Sequence, residues 1–394
     1  DLEARLFEDF NQSRSKGDIV VEVAAGPGGW AALREKFIVS SAGGQPVSIV
    51  QNGWGGWMDL AEGGSIVELT PYFKRDKVDP KLFLSEAIGE YSDGPKIWAL
   101  PVSLSVDAIA YNMDLLDKAG LKYPPVNPED KTWTMERFLE YARLLTNLPE
   151  HVGFGGSIAG DNSGGMTEGT YFGQGAWDDA KKQSLFNTQG MRQGLQFWLD
   201  LLVKHHVQPT AEEVAALRGG TSGNLFLSGK VGLQVFYSQT DRLPFRWGLA
   251  TLPYSGPAGS KNVSGRIFCH ALHMGQVKEK EKEPVWEVFK WLTKPENGGR
   301  FVITAGHATS PIVKGGSDVA QKAYLERSGV DARAYVLVSQ QAKIAGWGME
   351  KYANWPRVST DLTAQYKDFR AGKMSVGEYT ERAAQIVTQQ LVPG

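Results

Sequence analysis

Apolar residues along the chain follow two periods that alternate from one segment to the next. In "LEARLFEDFNQSR", Leu2, Leu6, Phe7 and Phe10 recur at helical spacing. "DIVVEVA" (18–24) is a β-branched run that predicts a buried strand, and "WAALREKFIVSSA" (30–42) predicts a helix ending near Gly43 and Gly44. "PVSIV" (46–50) predicts a second short strand. "KIWALPVSLSVDAIAYN" predicts a long extended segment with Pro101 early in it. In "TMERFLEYARLLTNL", Met135, Phe138, Leu139, Ala142 and Leu145 share one helical face, with Thr134 placed as an N-cap. A helix over "MRQGLQFWLDLLVKHH" and strands at "VGLQVFY" and "IFCHALHM" follow. The helix "PVWEVFKWLTK" is expected to hold Pro284 in its first turn and to turn Val285, Val288, Phe289 and Leu292 inward. Short strands alternating with helices predict an α/β protein, and 394 residues fit two domains or one large one.

Composition narrows the classes. Hydrophobic residues make up 42% of the chain and charged residues 22%, as in a protein with a sizeable core. The net charge of −2, without a long run of either sign, argues against a nucleic-acid or anionic-membrane partner. No apolar stretch reaches the length of a membrane span. The opening "DLEARLFEDF" lacks a signal peptide's apolar core, as a processed secreted protein also would. Cys269, the single cysteine, excludes an internal disulfide framework and a thiolate zinc cluster.

Aromatics change the picture most. Twelve Trp accompany 46 Gly, and the two meet in "GPGGW", "NGWGGW", "GQGAW" and "AGWGM". Such loops predict a flat aromatic binding surface, since an indole offers a broad apolar face and one N–H donor. Residues 151–177 hold nine glycines and are expected to form a binding loop or an irregular layer.

The sequence speaks against several chemistries. Gly26, Gly28 and Ala31 match the spacing of a dinucleotide fingerprint. No acid ends the following strand, however, where Gln51 and Asn52 stand instead. Trp30 crowds the helix start, and Pro27 removes a donor. A nucleotide cofactor is not expected. On a strand, His270 and His273 point to opposite faces, and His205 and His206, neighbours on a helix, diverge as well. No metal site is therefore expected. There is no G-x-S-x-G elbow, and Cys269 lies in mid-strand without an activating base. Asp107, Asp161 and Glu168 lie in expected cleft segments and would serve a binding site as well as a glycosidase. Arg266 fits either a solvated charge at a strand start or a bidentate clamp on a carboxylate, sulfonate, phosphate or vicinal hydroxyl pair.

At "IAYNMDLLDKAGLKYPPVNPEDKTWTMERFLEYARLLT" the chain resembles family 1 extracellular solute-binding proteins of ABC importers, the maltose-binding-protein type. "FLSGKVGLQVFY", "WGLATLPYSGP", "VWEVFKWLTKPENGGRFVITAGHATSP" and "GKMSVGEYTERAAQIVTQQL" are similar to later segments of that family, in the same order. The resemblance implies a two-lobe periplasmic-binding-protein type II fold with a three-crossing hinge and an interlobe ligand cleft. Lobe one would span 1–108 and 264–312, and lobe two 109–263 and 313–394. "SVDAIAY" and "TLPYSGPAG" are extended candidates for crossings. The family opens with a strand before its first helix, so a strand and one ligand-binding loop are expected upstream of residue 1.

Carried over by position, lobe one would contribute Trp30, Gln51, Asn52, Trp54, Ser103, Ser105 and Asp107 to the cleft, with Arg266 of "SGRIFCH" as a further candidate. Ser103, Ser105 and Asp107 would share one face of "SLSVD". Lobe two would contribute Asp161, Asn162, Tyr171, Tyr237, Gln239, Trp347 and Trp355. Indole and phenol faces with amides and carboxylates suit a sugar, a disaccharide or larger. The expected function is a non-enzymatic, extracytoplasmic receptor, periplasmic or a surface lipoprotein. It would be a monomer that captures carbohydrate by lobe closure, without cofactor or metal, and delivers it to membrane permease subunits. The alternatives are the same scaffold holding an anionic or polyol ligand and, in another class, a glycan-active enzyme.

Overall fold

Residues 100–112 leave one β-sheet and enter another with a single residue between them. The computed structural model describes residues 2–14, 19–24, 26, 30–52, 56–127, 130–157, 164–170, 176–178, 181–218, 224–236, 242–255, 267–304, 310–311, 313–329, 352 and 354–391. Its strands are β1 (Ile49–Asn52), β2 (Ser92–Asp93), β3 (Lys96–Ile97), β4 (Leu100–Val106), β5 (Ala108–Asn112) and β6 (Val152–Ser157). There follow β7 (Trp177–Asp178), β8 (Gln183–Ser184), β9 (Val231–Phe236), β10 (Trp247–Ala250), β11 (Ile267–Met274) and β12 (Ser310–Pro311). One sheet has the order β1-β11-β4-β12 and the other β10-β5-β9-β6, while β2–β3 and β7–β8 are small pairs. The first sheet is antiparallel throughout, and in the second only β6 and β9 run parallel.

The chain passes between the sheets more than once. Asp107 alone separates β4 from β5. Residues 251–266 lead from β10 in the second sheet to β11 in the first. After β12 the chain reaches helices Trp355–Arg370 and Val376–Gln390, which pack with helix Gln189–Val203 beside the second sheet. The expected crossover at "SVDAIAY" thus coincides with a change of sheet, and "TLPYSGPAG" falls in the second connection, with 256–259 outside the described residues.

Burial explains why these residues form these strands. β5 reads "AIAYN" because both its faces are covered: Ala108 and Ala110 join one apolar cluster, Ile109 and Tyr111 another. Pro101 cannot donate to the ladder, and the register between β4 and β11 shifts beside it, from Ser103↔His270 to Pro101↔Ala271. Helices cover the outer faces. Leu6, Phe7 and Phe10 of helix Leu2–Gln12 are buried against the first sheet's core together with Val288 and Phe289 of helix Glu279–Leu292. Thr134 caps helix Met135–Leu144 by accepting from the Arg137 N–H, and Met135, Phe138, Ala142 and Leu145 are buried beneath the second sheet.

Four expectations are corrected. Residues 19–24 alternate half-buried and exposed as a strand would, but they join no sheet among the described residues. Asn11 instead takes both main-chain groups of Val21, at 2.8 and 3.0 Å. An apolar slot of about 290 Å³ separates this segment from β1, with Val21, Val23, Phe37, Ile49 and Leu272 in its walls. Pro284 lies inside helix Glu279–Leu292, because the charged stretch before it is helical too. His205 and His206 lie beyond the end of helix Gln189–Val203, and His206 adopts a φ of 50°. Finally, within the glycine-rich stretch β6, helix Met166–Thr170 and the start of β7 are regular structure, while 158–163 and 171–175 lie outside the described residues.

Close packing accounts for Gly153 in β6. A Cβ there would lie 1.7 Å from the Ala142 carbonyl oxygen of helix Met135–Leu144. Gly153→Ala is expected to cost about 2–4 kcal/mol, because strand and helix backbone must separate. Gly89→Ala, in a helix with open space around the new methyl group, is expected to be neutral or to add about 0.5–1 kcal/mol. Urea unfolding of the two variants checks both values.

Candidate functional site

Three adjacent strands of the first sheet carry polar side chains into its interior. Asn52 ends β1, His270 and His273 lie on β11, and Ser103 on β4. The Ser103 hydroxyl is fully buried, with its Oγ 3.0 Å from His270 Nδ1. His273, also fully buried, places Nδ1 2.9 Å from the Trp98 carbonyl oxygen. A carbonyl only accepts, so Nδ1 carries the proton and Nε2 is left as the acceptor. The Asn52 Nδ2 faces that Nε2 at 3.4 Å. Tyr91 closes the group by donating to the Cys269 carbonyl oxygen at 2.7 Å and reaching the Asn52 carbonyl at 3.3 Å.

Burial holds His273 neutral, pushing its pKa down to about 4 against a weaker upward pull from the Trp98 carbonyl. Protonated, it would set N–H against the donors of Asn52. The two histidines thus take separate partners, and among the described residues no cluster of His, Cys, Asp and Glu could hold a metal ion.

The residues expected to line a cleft fall into three groups. Asn52, Ser103 and Asp107 lie in the first sheet or at its exit. Ser103 and Asp107 are buried, at 0% and 2% exposure, so these side chains build the wall from within. Gln51, half-buried, lines the apolar slot beside β1. Trp355 opens helix Trp355–Arg370 and is 4% exposed in a core with Tyr352, Val358 and Leu362. Backbone alone is described for Trp30, the first residue of its helix, and for Ser105 in β4. Trp54, Asp161, Asn162, Tyr171, Tyr237, Gln239, Arg266 and Trp347 lie outside the described residues.

Two segments from opposite ends of the sequence meet near Asn52. Gly56, in the left-handed region at φ 73°, leaves room for Pro356 of the helix that Trp355 opens; a Cβ there would sit 3.6 Å from the proline ring. Arg34 bridges to Asp59 and to the Gly56 carbonyl on the same side. Met58 packs against the cores of both regions. The segment after β1 and the start of helix Trp355–Arg370 are therefore neighbours.

The glycine–tryptophan loops do not all present aromatic faces. Trp57 of "NGWGGW" and Trp177 of "GQGAW" are core side chains. Nothing in the sequence around His270 and His273 marks them as partners of Ser103 and Asn52. Their spacing to Asn52 and Ser103 exists only once the strands pair.

Residues 2–299 match the family model described as bacterial extracellular solute-binding protein. The chain belongs to this family. A binding protein of Brucella abortus is 26% identical over 295 residues, covering 70% of the chain and 66% of that relative, and a Brucella suis counterpart gives the same values. The match spans just under two thirds of these relatives' length. Among solved structures, an ABC substrate-binding protein from Listeria monocytogenes in complex with cycloalternan superposes with a TM-score of 0.78 at 18% identity, covering 98% of this chain and 95% of that one. UgpB from Mycobacterium tuberculosis in complex with glycerophosphocholine gives 0.77 at 15%, covering 98% and 93%. Maltose-bound T. maritima MalE3 gives 0.74 at 20%, covering 98% and 95%. The fold is thus the two-lobe type II fold of solute-binding proteins. No helix among the described residues is long and apolar enough to cross a membrane.

The buried imidazole makes stability depend on pH. Its folded pKa, about 4, lies below the ordinary histidine value of 6.5. The unfolded chain therefore takes up a proton in that window that the folded protein refuses. Stability from this group is full above pH 6.5 and falls as pH drops toward 4, by about 3 kcal/mol at most. Urea unfolding from pH 7.5 to 4.5 should show that slope, and His273→Gln should flatten it.

Proposed function

We propose that this protein is an extracytoplasmic receptor that captures a carbohydrate between its two lobes and presents it to the permease subunits of an ABC importer. Its lobes are taken as 1–108 with 264–312, and 109–263 with 313–394. The single observation that carries the reading is the change of sheet at Asp107, which makes one continuous extended segment a shared element of both sheets. Such a crossing absorbs small φ/ψ changes as lobe rotation. A ligand touching both lobes then biases the equilibrium toward closure by its difference in affinity for the two states.

Family membership and the ligands held by similar structures support this class of ligand: cycloalternan and maltose are saccharides. The proposed binding set is Trp30, Gln51, Asn52, Trp54 and Ser105 from lobe one with Asp161, Asn162, Tyr171, Tyr237, Gln239 and Trp347 from lobe two, while the buried Ser103, Asp107 and Trp355 support the walls from behind. The receptor acts as a monomer outside the cytoplasmic membrane, in a periplasm or tethered as a lipoprotein, and performs no chemistry on its ligand. A second reading is favoured by the likeness to a glycerophosphocholine-bound protein. In it the same cleft holds an anionic or polyol ligand clamped by Arg266.

Titration with mono- and oligosaccharides and glycerophosphodiesters, following tryptophan fluorescence and melting temperature together, tests the proposal. One neutral saccharide should give a saturable shift and about 2.7 kcal/mol of stabilisation at a hundredfold excess over Kd. Response to anionic compounds alone, lost in Arg266→Ala, would transfer the assignment to the second reading. Release of shorter saccharides on prolonged incubation would establish an enzyme instead.

A further inference from the structure

A recess of about 550 Å³ lies wholly on the side of the second sheet, bounded by the end of β6, residues 208–218 and helices Gln189–Val203 and Trp355–Arg370. Its size is that of a small-molecule pocket. Among the described residues, none assigned above to the cleft lines it.

Its walls hold three buried amide atoms without hydrogen-bond partners among the described residues: Gln208 Oε1, Gln234 Oε1 and Asn224 Nδ2. Each such group costs about 1–3 kcal/mol, and native interiors rarely leave several together. The backbone of β6 is shaped around two of them. A Cβ on Gly155 would lie 2.1 Å from Gln234 Oε1, and one on Gly156, whose φ is 96°, would lie 3.0 Å from Gln208 Nε2. The opposite amide end of Gln234 is fixed, since its Nε2 donates to the carbonyl oxygens of Gly156 and Val235. Its Oε1 assignment follows, because both of those partners only accept.

We propose that this recess is a binding site for a small neutral polyol, separate from the interlobe cleft. Two orphan acceptors and one orphan donor match a guest whose groups both donate and accept, which is what a hydroxyl does and a carboxylate or an ammonium does not. The walls carry both signs of charge, Glu168 with Arg218 and Arg370. Trp198 and Tyr366, packed in the core, form its apolar floor. Gln208 and Asn224 are only half-buried, and their terminal torsions are soft, so their amides turn toward a guest at little cost.

Xylitol is the probe. Calorimetric titration of the full chain should show one saturable event, and a crystal soaked in xylitol should place its oxygens against Gln208 and Gln234. Gln208→Leu should weaken that event about five- to tenfold. Gly155→Ala, which drives a methyl group onto Gln234, should abolish it. Gln208→Leu must melt cooperatively near the wild-type temperature for its loss to count, and its half-exposed position makes that the safer variant. Xylitol seen only in the cleft, binding at crystal concentration without saturation in solution, or unchanged affinity in Gln208→Leu would each overturn the proposal. The saccharide titration addresses the cleft alone, so either assignment can fail without the other.

Discussion

The backbone between Val106 and Ala108 is hydrogen-bonded on both sides of Asp107, but to different partners. β4 lies between β11 and β12, and β5 between β9 and β10. Two interior strands of two sheets are thus one run of chain, and only Asp107 stands outside both ladders. The residues around it cannot move singly, because each belongs to a paired row. What remains free is rotation at the crossing, and the architecture of the rest follows. Apolar contacts continue past this point, since Ala108, Ala110 and Trp247 of the second sheet join the cluster that includes Leu100 and Leu272 of the first. The sheets share a core as well as a run of chain.

Polar groups within the first sheet are paired with one another. Trp98 accepts from His273, His273 accepts from Asn52, Tyr91 ties Asn52 to the Cys269 carbonyl, and Ser103 meets His270. Inside a protein such a network is rigid when every member is paired. It fixes the end of β1, from which the chain runs on toward Gly56 and its contact with the helix opened by Trp355. A binding wall supported in this way presents its ligand-facing groups in a preset geometry and lowers the entropy cost of capture.

The second sheet handles polarity differently. Around Gln208, Asn224 and Gln234 the amides are buried yet incompletely paired, and two consecutive glycines leave them space. Satisfied and unsatisfied interiors in one molecule mark different uses: the first builds a wall, the second leaves hydrogen-bonding capacity in reserve.

Periodicity alone was enough to read most elements. The helical faces of "LEARLFEDF" and "TMERFLEY" and the β-formers of "SLSVDAIAY" register burial directly, because a side chain's environment repeats with the geometry of its own element. Pairing is another matter. "DIVVEVA" has the alternation of a strand and is not one among the described residues, since a strand exists only with a partner at its edge. Trp57 and Trp177 sit among glycines as loop aromatics do, and tertiary packing buries both. His273 meets Asn52 across 221 positions, and Gln234 meets Gly156 across 78. The sequence by itself determined the class of fold and the order of its parts, because those rest on local periodicity and on motifs of adjacent residues. Which polar groups face one another, and which are left without a partner, only the tertiary structure decided, because hydrogen bonds form between neighbours in space.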